Sequence, residues 1–326
     1  MIRMIDIAEK AGVSRTTVSF VLSGRYKRGM KISEPIVKRV LETADQMGYV
    51  KNEIANAVVT GKSRVIAILS YFDDYMMPTI RGCMEEAQEY GCIIKLISLK
   101  NGFNEAIRKA LEFRVGGIFA LSQPESKKEI DPKYLCTGIP SIGLKENTGR
   151  MAFDQTASAM LGTEHLIEKG HKKILFLGCE NVIAAERETG YRNVMQKHGL
   201  EPDVIRMADK DDPLDLAVFD RILNEIKPDA IQCFSDILAF KIMRECYKRR
   251  LFIPDTFSLL GFGHTPASRE TAPRLATIDE PYFETGKIVF HQIYDLIEHG
   301  TYKEHIPLTG TLIPGETVAE KKKTIK

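Results

Sequence analysis

The chain lacks the patterns that mark membrane, secreted and most catalytic proteins. No apolar run in its 326 residues approaches the roughly 20 needed to cross a bilayer. It opens directly on a helical pattern with no signal-peptide core, so a cytoplasmic location is expected. The six cysteines (Cys83, Cys92, Cys136, Cys179, Cys233, Cys246) never form a Cys-x-x-Cys pair and lie in apolar or helical contexts. Buried free thiols in a reducing compartment fit this better than disulfides or a metal. The seven histidines lack metal-ligand spacing. There is no Gly-x-Gly-x-x-Gly, no Walker loop and no Gly-x-Ser-x-Gly elbow. Asp209, Asp211, Asp212 and Asp215 form the one carboxylate cluster, and at a loop and helix start they read as caps and solvated charge. No enzymatic activity, metal or cofactor is expected.

What is present is an ordinary globular composition, 44% hydrophobic and 28% charged, in a chain long enough for two or three domains. The net charge of +2 is unevenly placed, with residues 1–62 carrying +5 and the remainder −3. A basic head on a slightly acidic body suits a phosphate-binding module joined to a domain that does not touch nucleic acid.

The most informative stretch runs from Ile5 to Ile36. Ile7, Ala8 and Ala11 form one helical face, and Val18, Val21 and Leu22 another. Gly12 between them can take the left-handed backbone that ends a helix, and Ser14 stands where a hydroxyl caps the next one. Two short helices across a glycine turn are a helix-turn-helix, whose second helix lies in the DNA major groove. A basic loop follows, Arg25 to Lys31. Ser33 then caps a third helix with Pro35 in its first turn. Val37, Val40, Leu41, Ala44 and Met47 form that helix's core face, and Gly48 stops it. Residues 52–59 are short for an isolated helix and read as a linker that needs outside support.

From Arg64 the pattern changes. Apolar runs at 65–69, 93–97, 117–121 and 140–144 alternate with helical stretches at 80–90 and 104–113. A second set holds runs at 174–177, 204–206, 230–234 and 258–262 between helices at 156–169, 186–198, 214–226 and 236–249. Apolar strands alternating with helices imply parallel sheets covered on both faces. Two sets in series suggest two doubly wound lobes with a ligand between them, at the carboxyl ends of the strands. The expected fold is thus an all-α headpiece (1–50), a hinge segment (51–62) and an α/β core (63–326). The core divides into an N-lobe, about 63–152 and 281–310, and a C-lobe, about 153–280 and 311–326.

Co-linear landmarks give this organisation a family likeness. They are Asp6-Ile7-Ala8, Ala11-Gly12-Val13-Ser14, Thr17-Val18-Ser19, Gly48-Tyr49 and Asn52. Further on stand Glu164 to His171, Arg187 with Gly190-Tyr191-Arg192, Pro228-Asp229-Ala230, Ser235-Asp236, Ile253-Pro254 and Gly261-Phe262. Over essentially its whole length the chain resembles the lactose-repressor (LacI) family of bacterial transcription regulators, with a periplasmic-binding-protein-like core. The resemblance implies a homodimer that binds double-stranded operator DNA, acts as a repressor and answers to a small-molecule effector in the inter-lobe cleft. The competing class is a small-molecule-binding protein without DNA function, like a periplasmic sugar-binding protein, which would lack the helix-turn-helix.

By the same resemblance Arg15 and Thr16 touch base edges, with Met4 or Phe20 adding apolar contact. Arg15 can reach guanine O6 and N7 together. Ser14, Thr17, Ser19, Ser23 and Ser33 would bond phosphates or serve as caps, and Arg3 and Tyr49 belong to the same surface. Phe20 departs from a commonly polar position and either meets thymine methyls or folds against Tyr26. Arg25, Lys27, Arg28 and Lys31, in a loop about four residues longer than the shorter family pattern, contact phosphates or form a solvated basic loop. In the hinge, Asn52, Ala55 and Val58 match minor-groove positions. Valine is a shorter wedge than the family's leucine, so the hinge is expected to bend DNA less strongly or to depend more on the headpiece loop.

Effector positions map to Asp73, Tyr75, Phe153, Asp154, Arg187, Ser235, Asp236, His264 and Tyr282. An arginine with carboxylates and aromatic faces suits a polyhydroxylated ligand. Where the family usually places an aspartate after Gly261-Phe262, this chain has Gly263-His264, and Lys145 replaces a frequent acidic residue. Those exchanges point to an anionic or otherwise atypical ligand, such as a phosphorylated sugar or acid.

Overall fold

The computed structural model describes residues 2–24, 26, 32–50, 63–72, 74–122, 129–144, 153–208, 213–303 and 307–321. Arg25, Lys27, Arg28, Lys31, the hinge with Asn52, Ala55 and Val58, and also Asp73 and Lys145 lie outside them. The chain divides into two compact units, Met1–Val65 with Leu111–Gly116, and Ile66–Ala110 with Gly117–Lys326.

The first unit holds the headpiece. Helix α1 (Met4–Ala11) starts at Arg3, whose backbone N–H donates to Asp6 Oδ2 at 2.8 Å, and ends at Gly12 with φ 63°. Ser14 accepts the Thr17 N–H at 3.0 Å and so opens α2 (Arg15–Leu22). The third helix, α3 (Glu34–Gln46), carries Pro35 in its first turn and is followed by Gly48 in the left-handed conformation. Ser33 occupies its N-cap position but makes no side-chain cap bond, so the cap expected from sequence is not formed. Ile7, Ala8, Ala11, Val18, Val21, Val37, Val40 and Ala44 close the headpiece core. Leu41, read from sequence as part of that face, is instead exposed. One residue on from Val40 is about 100° around the helix, which takes Leu41 off a face this narrow.

The second unit carries two sheets. In the N-lobe, β1 (Val65–Ser70), α4 (Met77–Glu89), β2 (Ile93–Ser98), α5 (Phe103–Glu112), β3 (Gly117–Ala120), α6 (Pro132–Leu135) and β4 (Ser141–Ile142) give a sheet of order β2-β1-β3-β4. Parallel register runs from Ile66 opposite Gly117 to Leu69 opposite Ala120. In the C-lobe, α7 (Gln155–Glu168), β5 (Ile174–Cys179), α8 (Val182–Lys197), β6 (Asp203–Met207), α9 (Leu216–Arg221), β7 (Ala230–Cys233), α10 (Asp236–Lys248) and β8 (Ser258–Leu260) give the order β6-β5-β7-β8. Its pairings are parallel. Helix α9 passes into a π-helical turn at Ile222–Ile226 rather than continuing as the single helix read from sequence.

Four labelled elements are absent from the sequence reading: α6, β9 (Thr277–Asp279), the 18-residue helix α11 (Tyr282–His299) and β10 (Thr311–Ile313), which pairs antiparallel with β9. Val289, Phe290 and Ile293 on α11 pack with Ile66, Ile68 and Phe119 of the N-lobe sheet. After β10 the chain runs along the C-lobe, where Leu259 donates its N–H to Thr317 O at 2.8 Å. Of the cysteines, none is in a disulfide; Cys83, Cys179, Cys233 and Cys246 are buried, Cys92 is half-buried and Cys136 is exposed. Among the described residues no helix is long and apolar enough to cross a membrane.

Helices α4 and α11 meet backbone to backbone. A Cβ at Gly82 would strike the Phe283 carbonyl, and one at Gly286 the Thr79 carbonyl. The Cys83 thiol donates to Gly286 O at 3.0 Å across this contact. Neither backbone can move aside as a side-chain tip could. Gly286→Ala is therefore expected to destabilise the core by about 1–3 kcal/mol, the range for overpacking, measured as a lower denaturant midpoint at unchanged m-value.

Candidate functional site

Two surfaces hold the residues singled out from sequence. On the headpiece, the Ser14 cap is doubled by a 2.9 Å contact between the Ser14 and Thr17 hydroxyls. Val18 and Val21 turn into the core, while Arg15, Thr16 and Ser19 are exposed. Thr17, Phe20 and Ser23 are half-buried, and the Ser23 hydroxyl donates to Phe20 O at 3.3 Å. Phe20 is not among the described side chains packed on the headpiece core, whereas Tyr26 is. Met4 and Tyr49 also pack there, and burial pushes the Tyr49 hydroxyl above its ordinary pKa. The Arg3 guanidinium is engaged by Asp6 at 3.0 Å on the surface. Ser33 is exposed.

The core surface is built around Arg187, on the buried side of α8. Its Nε donates to Gln155 Oε1 at 2.7 Å, one Nη to Phe234 O at 2.6 Å and the other to Glu280 Oε1 at 2.9 Å. The guanidinium lies 3.6 Å from the Phe262 ring centroid and 4.8 Å from that of Phe234. Its side chain is 4% exposed and that of Glu280 2%. Gln155 Nε2 reaches Glu280 Oε1 at 3.1 Å, and the Tyr282 hydroxyl donates to Glu280 Oε2 at 2.5 Å. Burial, with the Glu280 charge added, holds the Tyr282 hydroxyl well above its ordinary pKa. The Tyr75 ring lies 6.4 Å from that of Tyr282.

Asp236 is buried beside this cluster. It accepts the Thr277 hydroxyl at 2.6 Å, the Thr265 N–H at 2.8 Å and the Thr265 hydroxyl at 3.1 Å. Desolvation outweighs those bonds and raises its carboxyl above the usual carboxylate range. His264, with φ 45°, sets Nδ1 3.3 Å from Asp279 Oδ1 and accepts from Arg269 Nε at 3.2 Å.

Other expected effector residues are taken up locally. Asp154 caps α7 through the Ala157 N–H at 2.8 Å, Ser235 caps α10, and Phe153 is buried in a bridge with Leu308. The structure thus joins Arg187 and Tyr282 in one cluster. It adds Gln155, Glu280, Thr265 and Thr277, which the sequence reading missed. Glu280 and Pro281 directly precede a residue that was singled out, which was the available signal. Of the residues behind the anionic-ligand expectation, Lys145 lies outside the described residues and His264 lies beside Asp279.

Residues 3–52 match the family described as bacterial regulatory proteins, lacI family, and residues 163–318 the periplasmic binding protein-like domain. The chain thus carries a lacI-family helix-turn-helix domain and a periplasmic-binding-protein-like domain. It is similar to the HTH-type transcriptional repressor PurR of Aliivibrio salmonicida, 24% identical over 319 residues that cover 92% of this chain and 94% of that one. The PurR repressor of Vibrio campbellii is 25% identical over 317 residues, 92% of each chain. Among solved structures, the lac repressor dimer bound to operator and the anti-inducer ONPF superposes with a TM-score of 0.82 at 22% identity, covering 98% of this chain and 99% of that one. This likeness establishes the fold.

Two outcomes follow from the buried cluster. Arg187→Met strands the Glu280 carboxylate and should cost roughly 3–5 kcal/mol by denaturant unfolding, whereas Arg187→Met with Glu280→Met should cost far less, since an apolar pair replaces a buried ion pair at little loss. Asp236 holds its proton more tightly folded than unfolded. Its contribution to stability is therefore full below the ordinary carboxyl value of 3.8 and is lost as pH rises through the raised folded value. Wild type should fall in stability relative to Asp236→Asn across that rise, read from thermal midpoints at stepped pH.

Proposed function

We propose that this protein is a homodimeric, cytoplasmic transcriptional repressor whose headpiece reads operator DNA and whose core answers to a small molecule held between the two lobes. The observation that carries the reading is the recognition helix. Its cap and core face are both satisfied within the headpiece, which leaves Arg15, Thr16 and Ser19 exposed. Short polar side chains and one long guanidinium are the chemistry that reaches base edges and phosphates in a major groove. The named relatives are repressors, and the lac repressor in its operator complex is a dimer. A two-fold dimer reads two half-sites, so a roughly palindromic operator is expected.

The core contributes regulation rather than chemistry. Its buried polar cluster joins α7, α8 and the end of β7 to the segment between β9 and α11, and Tyr282 at the start of α11 neighbours Tyr75. A ligand that favours one arrangement of these elements shifts the equilibrium by its differential affinity for the two states. A ligand-binding protein without DNA function would leave the exposed face of α2 unexplained.

Fluorescence anisotropy with the DNA flanking the protein's own gene tests the reading. Wild type should prefer one fragment over random duplex, with affinity falling steeply as salt rises. Arg15→Ala should weaken that preference by roughly 5- to 150-fold, the equivalent of about 1–3 kcal/mol for a bidentate base contact. Equal affinity for every duplex would overturn the proposal.

A further inference from the structure

One side chain of α2 does not suit a surface made only for phosphates and polar base edges. Phe20 is half-buried, yet the headpiece core closes without it. Val18 and Val21 are buried in that core, and Leu22 and Tyr26 pack on it. At about 100° per residue, Phe20 stands nearly opposite Val18 and Leu22 and about 40° around the helix from Thr16. It therefore shares a side with the exposed Thr16, one turn further along, and borders the exposed Ser19. The hydroxyls at this end are engaged locally. Ser23 donates to the Phe20 carbonyl at 3.3 Å, and the Ser14 and Thr17 hydroxyls meet at 2.9 Å where they cap the helix. Beyond Ser19 the face thus offers a ring rather than a hydroxyl.

The dimensions keep that ring inside the groove. A helix of eight residues is about 12 Å long, no more than the ~12 Å width of the major groove. Phe20 lies about 6 Å along the axis from Thr16, close to two base-pair steps of ~3.4 Å. When Arg15 and Thr16 reach base edges, the ring faces bases a step or two away. Of the groups displayed there, the C5-methyl of thymine is the apolar one. The other edges present donors or acceptors, and a phenyl ring laid on them removes water without replacing its hydrogen bonds. Against the methyl the same ring strips nothing polar and buries apolar surface on both partners.

We infer that Phe20 is a specificity-determining residue of the headpiece: it selects thymine in each operator half-site through the C5-methyl, a step or two from the base pair met by Arg15 and Thr16. The inference rests on the reading of α2 as the recognition helix and adds a base identity to it. It also decides between the two roles open to Phe20 from sequence, since Tyr26 packs on the headpiece core and Phe20 does not. The face then divides its work, with a guanidinium for a polar edge and a ring for a methyl.

Thymine and uracil differ by this methyl alone. The test replaces each thymine of the preferred fragment in turn by uracil and measures the affinity of the full chain by anisotropy. One thymine per half-site should respond, with uracil weakening binding roughly fourfold, the equivalent of ~0.8 kcal/mol for one buried carbon. Changing both half-sites should cost about 15-fold, since well-separated sites add. Phe20→Ala should bind thymine and uracil alike at that position and keep the wild-type thermal midpoint, because the headpiece core does not include the ring. If Phe20→Ala does not fold, Phe20→Gln enters the same scan, and the wild-type arm decides independently. Indifference of wild type to uracil at every position would overturn the inference, as would a uracil penalty that the Phe20 variant leaves unchanged. Either result leaves the preference for one fragment, and hence the regulator reading, intact. A wild type that binds every duplex alike would overturn both.

Discussion

Burying a guanidinium costs several kcal/mol unless a partner of opposite charge and enough acceptors come with it. Arg187 meets both conditions through Glu280, Gln155 and the Phe234 carbonyl, and the geometry of the core's interior follows from that requirement. To bring those groups together, the start of α7, the middle of α8, the end of β7 and the segment between β9 and α11 must converge. Tyr282 extends the same network to the start of α11, which packs on the N-lobe sheet. The polar cluster therefore lies within the C-lobe and reaches the start of α11 through the Tyr282–Glu280 bond. Half-satisfied networks of this kind are costly, so few intermediate arrangements are tolerated.

The headpiece solves a different problem with fewer residues. Three helices totalling under 30 residues bury a small core, and helices this short are marginal alone. Caps and turns carry much of the burden: the Arg3–Asp6 pairing opens α1, Gly12 closes it, and Ser14 opens α2. The internal bonds consume the polar groups at helix ends and leave the polar groups of one face of α2 for solvent or DNA. That division of labour is what lets an eight-residue helix act as a reading head.

The headpiece was legible in the sequence because its signals are local. Gly12, Ser14 and the spacing of Ile7, Ala8, Val18 and Val21 each carry their own reason, and each holds in the structure. The strands were legible as continuous apolar runs, since a sheet buried on both faces needs no alternation. Leu41 failed because a helical face is narrower than a list of apolar residues suggests. Helix α11 was missed although Val289, Phe290 and Ile293 carry its period, since the alternation of strand and helix had already seemed complete at β8. The candidate site was half legible. The family resemblance singles out Arg187, but its partner Glu280 lies 93 residues away, a pairing that only the fold creates. Local spacing likewise could not show that Thr265 and Thr277 would both reach Asp236.

Headpiece and core meet in one thermodynamic requirement: a ligand that changes DNA affinity by some factor must have its own affinity changed by DNA by that same factor. The direct test is a linkage experiment on the full chain. Operator affinity is measured by anisotropy with and without a core ligand found by thermal shift, and the ligand's affinity is measured by calorimetry with and without operator. The account predicts two equal factors, of order 5- to 150-fold as for typical allosteric coupling. A ligand that binds the core and leaves operator affinity unchanged would contradict it.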